Sequence, residues 1–168
     1  MNWIKVSGIA LIVALFSQSC GIYSLSGINI PADVKTISVS FFPNEAAIVN
    51  PQLSQQFSER LKDKFQNETS LTLITTGGDF DFSGKIVEYR VIGIDVQENT
   101  NSNSSKFVIG VDVDFKSPNH EELNFTQYFE SNEVFDASLA FESVEADMME
   151  RIIDEIVQDI FNRTALRW

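Results

Sequence analysis

Apolar residues alternate or recur along most of the chain with periods that identify the elements. Val34–Phe42 is an alternating β-branched and aromatic run and predicts a first strand. Pro43-Asn44-Glu45 ends it, and Asn50-Pro51 supplies an N-cap followed by proline at the first helical position. Leu53, Phe57, Leu61 and Phe65 then recur every four residues among Gln, Ser, Glu and Lys, which predicts a helix from about Pro51 to Phe65 with one buried stripe. Leu71–Thr75 reads as a short strand closed by Gly77-Gly78.

The next stretch predicts an antiparallel meander. Phe80–Val96 is long for one strand, with Ser83-Gly84 marking a bulge or bend inside it. Polar Asn99–Ser105 makes a turn, after which Phe107, Ile109, Val111, Val113 and Phe115 alternate with Val108, Gly110, Asp112 and Asp114. Folding the two strands about Asn101 sets Val91 against Val111, Tyr89 against Val113 and Val87 against Phe115, all apolar on one face. A second turn at Ser117–Glu121 brings Leu123, Phe125 and Phe129 onto that face. From Ser143 the apolar positions Val144, Met148, Met149, Ile152, Ile153, Ile156, Val157, Ile160 and Phe161 fall at helical spacing, with acids early and Arg163 and Arg167 late, as the helix dipole favours. The predicted fold is α+β: a two-layer sandwich of a mostly antiparallel sheet, about four to five strands, with two helices packed on one face.

The N-terminus follows a different rule. Met1–Lys5 is short with one cation, Val6–Phe16 is apolar apart from Ser7 and Gly8, and Ser17-Gln18-Ser19 places small residues before Cys20. That is the order of a secretory signal, and its apolar core is about half the ~20 residues needed to span a bilayer. The chain therefore divides into a signal at 1–19, a tether at 20–33 and one α+β domain at 34–168. Cys20, the only cysteine, stands where a bacterial lipoprotein lipobox carries its acylated residue, although Ser17 replaces the Leu that such boxes favour. The alternative is an ordinary signal cleaved near Ser19 that leaves a free thiol. The lipobox resemblance implies two or three acyl chains on Cys20, and at ~0.8 kcal/mol per buried CH₂ these hold the protein on a membrane without a transmembrane helix. Gly21 after the cysteine resembles lipoproteins sent to the outer membrane, and no acidic run follows Cys20, so the expected location is the periplasmic face of that membrane.

Composition narrows the function. The 168 residues carry 12 Lys+Arg against 24 Asp+Glu, a formal net charge of -12, so affinity for nucleic acid is excluded as a class. Signal removal takes Lys5 and no acid, making the mature chain more acidic still. A lone cysteine rules out an internal disulfide and a multi-Cys zinc site. The single histidine, His120, lies in Ser117-Pro118-Asn119-His120-Glu121 with no nucleophile motif beside it and reads as a solvated turn residue; a hydrolase would have to rest on it alone. Asp79/Asp81 and Asp112/Asp114 each share a strand face but lack the glycine and further oxygen ligands of a calcium loop, so they read as solvated positions, and no metal or other cofactor is expected. The chain is read as a non-enzyme.

Two features lean towards binding. On the hairpin face opposite Val87, Tyr89 and Val91 stand Ile92, Ile94, Val96 and Val108, so the hairpin is apolar on both faces near its turn. It needs a second cover, from its own chain or from a ligand or partner. Lys85, Arg90 and Lys106 place three cations on or beside the same hairpin, where they meet lipid phosphate or where Arg90 pairs with Asp112.

The residues Cys20-Gly21-Ile22-Tyr23-Ser24-Leu25-Ser26-Gly27, the Ile37–Phe42 strand, the Asn50-Pro51 helix start, Phe80-Asp81-Phe82-Ser83-Gly84-Lys85-Ile86 and the acidic C-terminal helix together resemble the lipopolysaccharide-assembly lipoprotein family LptE, in its Bacteroidetes-type branch. The resemblance implies an outer-membrane lipoprotein that plugs a large partner β-barrel, supports its assembly and helps pass lipopolysaccharide to the cell surface. Basic strand residues contact the glycolipid in better-known relatives, and the acidity of this chain ranks plugging above that contact. The alternative is a periplasmic lipoprotein holding a small apolar or peptide ligand in a groove between helix and sheet.

Overall fold

A computed structural model of the chain describes residues 27–94 and 103–166. Five strands, β1 (Thr36–Val39), β2 (Thr72–Ile74), β3 (Phe80–Ile94), β4 (Ser104–Lys116) and β5 (Phe125–Asp136), form one sheet in the order β2-β1-β3-β4-β5. Helix α1 (Pro51–Glu68) joins β1 to β2, and helix α2 (Glu145–Ala165) follows β5. The expected two-layer α+β sandwich is what the chain adopts. β1 runs parallel to β2 and to β3, whereas β3, β4 and β5 are antiparallel, so the sheet is mixed. Parallel neighbours need a long crossover, and α1 supplies it between β1 and β2.

Both helices bury their stripes on one sheet face. Leu53, Phe57, Leu61 and Phe65 of α1 are fully buried, as are Ile152, Ile156 and Ile160 of α2. Rings tie the layers together: Phe65 lies 5.1 Å from both Phe82 of β3 and Phe161 of α2, and Phe82 lies 4.7 Å from Phe115 of β4. The Asn50 side-chain oxygen accepts from Gln52 N at 3.0 Å as an N-cap, while its amide donates to Glu145 at 2.8 Å, which joins the starts of the two helices. α1 runs one turn past the predicted Phe65 and closes where the Thr69 N–H and hydroxyl both donate to Phe65 O, at 3.0 and 2.6 Å.

The regular part of the first strand is shorter than Val34–Phe42. Pro43 has no N–H to give a ladder, yet the chain stays beside β3, since Ser40 N donates to Phe82 O at 2.8 Å and Ile86 N to Pro43 O at 2.9 Å.

The β3–β4 register departs further. Val91 faces Phe107 rather than Val111, and Tyr89 faces Ile109 rather than Val113. Phe115 faces Phe82 rather than Val87, because a register shift between Ile86 and Glu88 leaves Val87 as the extra residue. Below that bulge Phe82 and Ile86 point to the helices; above it Tyr89 does, and all three are buried. The bulge thus sits at Val87 and not at Ser83-Gly84. Gly84 instead takes φ 156°, and a Cβ there would overlap the Asp112 carbonyl oxygen and come within 2.6 Å of Phe42 Cε1. No larger residue fits. Phe125 and Phe129 do join the helix-facing surface, opposite Phe115 and Val111.

His120 is not a loose turn residue. Its Nε2 lies 2.9 and 3.0 Å from the two Asp33 oxygens and its Nδ1 3.4 Å from Glu122, so it clasps the segment ahead of β1 to the β4–β5 connection. The Asp33 bond holds the imidazole pKa above 6.5 and the carboxyl below 3.8. A raised imidazole contributes stability fully below its unfolded value and loses it as pH rises through the folded one; a lowered carboxyl contributes above its unfolded value and loses it as pH falls. The clasp therefore works between about pH 4 and 6.5. Thermal unfolding across pH should show the largest gap between the native protein and His120→Ala in that window, closing towards alkaline pH.

Candidate functional site

The helix-covered sheet face is filled by the ring chain, so the other face and the Ile94–Ser104 end of the sheet are where a partner can be met. Register places Ile92 opposite Lys106, Ile94 opposite Ser104, and Lys106 opposite Val134 of β5. Ile92, Ile94, Lys106, Val108 and Val134 consequently share the outward face at one end. Val108 is only 2% exposed, flanked by Arg90 and Asn132 on the neighbouring strands, so its own sheet covers it. Ile94 and Val134 remain 36% and 55% exposed. On the helix side of the same end Val91 is also exposed, as is Leu139 in the connection that follows β5. The hairpin end is apolar on both faces, and of the residues expected on its outward face Ile94 is the one described as exposed. Val96, like Cys20, lies outside the described residues.

The three cations do not gather. Lys85 stands opposite Asp112, six β4 positions from Lys106 and so roughly 20 Å away at ~3.3 Å per residue. Its amine binds Glu45 at 2.8 Å, and that bond raises its pKa. Arg90 pairs with Glu88 on its own strand, not with Asp112, because the shifted register carries Asp112 towards Lys85. Arg90 and Lys106 are diagonal neighbours, and Lys106 has no ion-pair partner among the described residues. Among the described residues, one cation without an ion pair, between two apolar side chains, is what remains of the basic cluster.

Sequence reasoning missed Val134 and Tyr128. Both sit at even positions of β5, outward by the alternation that turns Phe125 and Phe129 inward, but only the β4 register shows that Val134 abuts Lys106. Tyr128 lies across Gly110, where a Cβ would meet its Cε2 at 2.7 Å, and its hydroxyl donates to Glu88 and to Glu130, the latter at 2.9 Å. Burial first, then the Glu130 bond, pushes its pKa up to about 12. This acidic, aromatic belt separates the apolar end from the rest of the outward face.

Three of the four paired acids, Asp79, Asp81 and Asp114, are held by hydrogen bonds. Asp79 accepts from Lys35 N, Thr36 N and Thr36 Oγ1 at 2.8–2.9 Å, and the first of these bonds leads in holding its carboxyl below the usual range. Asp81 takes the Ser38 hydroxyl, and Asp114 takes Thr126 Oγ1 at 2.9 Å beside Lys116. No group of three or more His, Cys, Asp or Glu among the described residues is placed to hold a metal ion. An open cavity of about 620 Å³ lies at the helix starts, where Ile48, Val49, Pro51, Glu145 and Met149 meet Tyr89 of β3. Among the described residues no helix is long and apolar enough to cross a membrane.

A family model described as LptE, lipopolysaccharide-assembly, matches residues 34–164, well over half of the chain. A minor lipoprotein from Acinetobacter baumannii superposes with a TM-score of 0.51 at 12% identity, covering 77% of this chain and 91% of its own. The rare lipoprotein B from Shewanella oneidensis gives 0.43 at 13% identity, covering 74% and 93%, too distant to argue from. The Acinetobacter likeness is one of fold alone. No curated protein matches the sequence.

Proposed function

The chain belongs to the LptE lipopolysaccharide-assembly family, a non-enzymatic one, and from that premise we propose that it is an outer-membrane lipoprotein, acylated at Cys20 after loss of residues 1–19, that plugs and supports a partner β-barrel. The observation that carries this reading is the apolar sheet end. Behind it the core is complete, so Ile94 and Val134 on one face and Val91 on the other gain nothing by exposure unless a second protein covers them. Seated in a lumen, that end meets a wall on both sides. The acidic belt of Glu88, Glu130 and Asp112 remains wetted beside it.

Direct contact with the glycolipid is the second reading. Lys106 favours it, as an amine with no ion-pair partner among the described residues, set between Ile92 and Val134, where it suits a phosphate next to an acyl chain. The chain's negative charge opposes it unless divalent cations bridge.

Purification of the tagged protein from detergent-solubilised outer membranes should bring down a large β-barrel in constant ratio. Ile94→Asp combined with Val134→Asp should cut that recovery at least tenfold, since each buries a charge at the interface. The same substitutions are exposed in the free protein and should shift its stability by only about 0.5 kcal/mol each. Undiminished recovery with the double variant would remove the sheet end from the contact, and repeated recovery of the chain alone would remove the plug.

A further inference from the structure

We infer that the free edge of β5 is a docking strand for an extended, cationic segment of another polypeptide. β5 is the outermost strand, twelve residues long, paired to β4 without a bulge from Phe125 to Asp136. It contains no proline, glycine or lysine. Edge strands are ordinarily kept from pairing by shortness, proline, bulges or charge, and β5 uses only the last, in Glu130, Glu133 and Asp136, which repel an acidic partner but not a cationic one.

The direction of its backbone groups follows from one bond. Ala137 N donates to Asn103 O at 3.0 Å, and this pair continues the β4–β5 register. Hydrogen-bonded pairs recur every second residue of an antiparallel ladder. The odd residues of β5 therefore bond to β4, and Thr126, Tyr128, Glu130, Asn132 and Val134 turn both N–H and C=O away from the sheet. No backbone or side-chain group among the described residues meets them. The hydrogen bonds between helix α2 and β5 among the described residues all use side chains on the other face, Arg151 to Glu133 at 3.0 Å, Arg163 to Gln127 at 3.3 Å and the Ser131 hydroxyl to Glu155.

Charge selects the occupant. A second copy is disfavoured, because β5 carries Glu130, Glu133 and Asp136 and no cation, so self-pairing brings acids against acids or neutral residues. Two of the chain's own segments fit no better: residues 95–102 carry Asp95 and Glu98 but no Lys or Arg, and Cys20–Ser26 carries no charge, while Arg167-Trp168 is too short to form a strand. Glu133 is already offset by Arg151, which leaves Glu130 and Asp136, six positions apart on the outward face, as the acids a partner must match. A strand with Lys or Arg at that spacing and an apolar residue opposite Val134 satisfies backbone, charge and pocket together. This inference goes beyond the barrel reading and does not need it.

The test uses the full chain in detergent and a capped peptide of about ten residues, alternating Thr and Val with lysines six positions apart, against a twin with Glu for Lys. Hydrogen exchange at Thr126, Tyr128, Glu130, Asn132 and Val134 should slow on adding the lysine peptide and not its twin. Asn132→Pro removes one outward donor and no β4 bond, so it should weaken binding about tenfold while the unfolding temperature holds. Should proline disturb the strand, Glu130→Lys serves instead and should erase the preference for the lysine peptide, since Asp136 then remains as the single matching acid. Protection by both peptides alike, protection elsewhere, or unchanged binding by Glu130→Lys would overturn the inference. Barrel recovery bears on the proposed function alone, so either can fail without the other.

Discussion

Cys20→Ser should move the protein from the membrane to the soluble fraction, the largest single effect expected of any substitution. The reason is additive burial: one acyl chain gives only marginal, reversible binding, whereas two or three hold a protein stably at ~0.8 kcal/mol per CH₂. Serine offers no thioether, so every chain is lost at once. Nothing in the described residues compensates, since no helix there crosses a bilayer. Fractionation should show at least a tenfold fall in membrane-bound protein, and mass spectrometry of the native N-terminal peptide should show an acylated cysteine. Membrane retention of Cys20→Ser would mean that a protein partner does the holding, and a bare thiol would end the lipoprotein reading.

Phe82→Ala should be the most destabilising change in the folded domain. Phe82 is fully buried and its ring meets Phe115 of β4 at 4.7 Å and Phe65 of α1 at 5.1 Å, so it joins the two layers. Removing a buried phenyl ring costs about 3–5 kcal/mol through lost burial and the cavity left behind. Domains of this size hold only about 5–15 kcal/mol in total. The neighbours have little room to close the gap, because the chain beside Phe82 is held by Ser40 N donating to its carbonyl and by Gly84, packed against Asp112 and Phe42. At roughly 2–4 °C per kcal/mol the unfolding temperature should fall by roughly 6–20 °C. A loss under about 1 kcal/mol in urea unfolding would show that the site collapses and that the layers are joined elsewhere.

Legibility in the sequence divides along physical lines. The α1 stripe Leu53, Phe57, Leu61, Phe65 and the α2 positions Ile152, Ile153, Ile156 and Ile160 were readable because helical period alone decides which side is apolar, and all are buried. The same held for alternation in β4. Register was not readable: an even slip along β3 keeps apolar against apolar, so Val91 against Val111 and Val91 against Phe107 satisfy the pattern equally. The Val87 bulge then reversed parity halfway along β3, which no periodic reading anticipates. Of the candidate site, the sequence placed Ile92, Ile94 and Val108 together on the face where the register also puts them; Val134 was missed, and Lys85 was grouped with cations from which the register separates it.

By itself the sequence determined what depends on neighbours along the chain: the elements, their buried sides, the acidic balance, the signal-like start and the single sulfur behind it. Tertiary structure decided what depends on distance through space: that β1 runs parallel to its neighbours, that Arg90 answers Glu88 and His120 answers Asp33, and that β5 ends the sheet with its outward amides unpaired. Periodicity is a local property of the backbone, set by 3.6 and 2.0 residues per repeat. Pairing across the sheet is chosen by packing among residues dozens of positions apart, and one inserted residue is enough to change it.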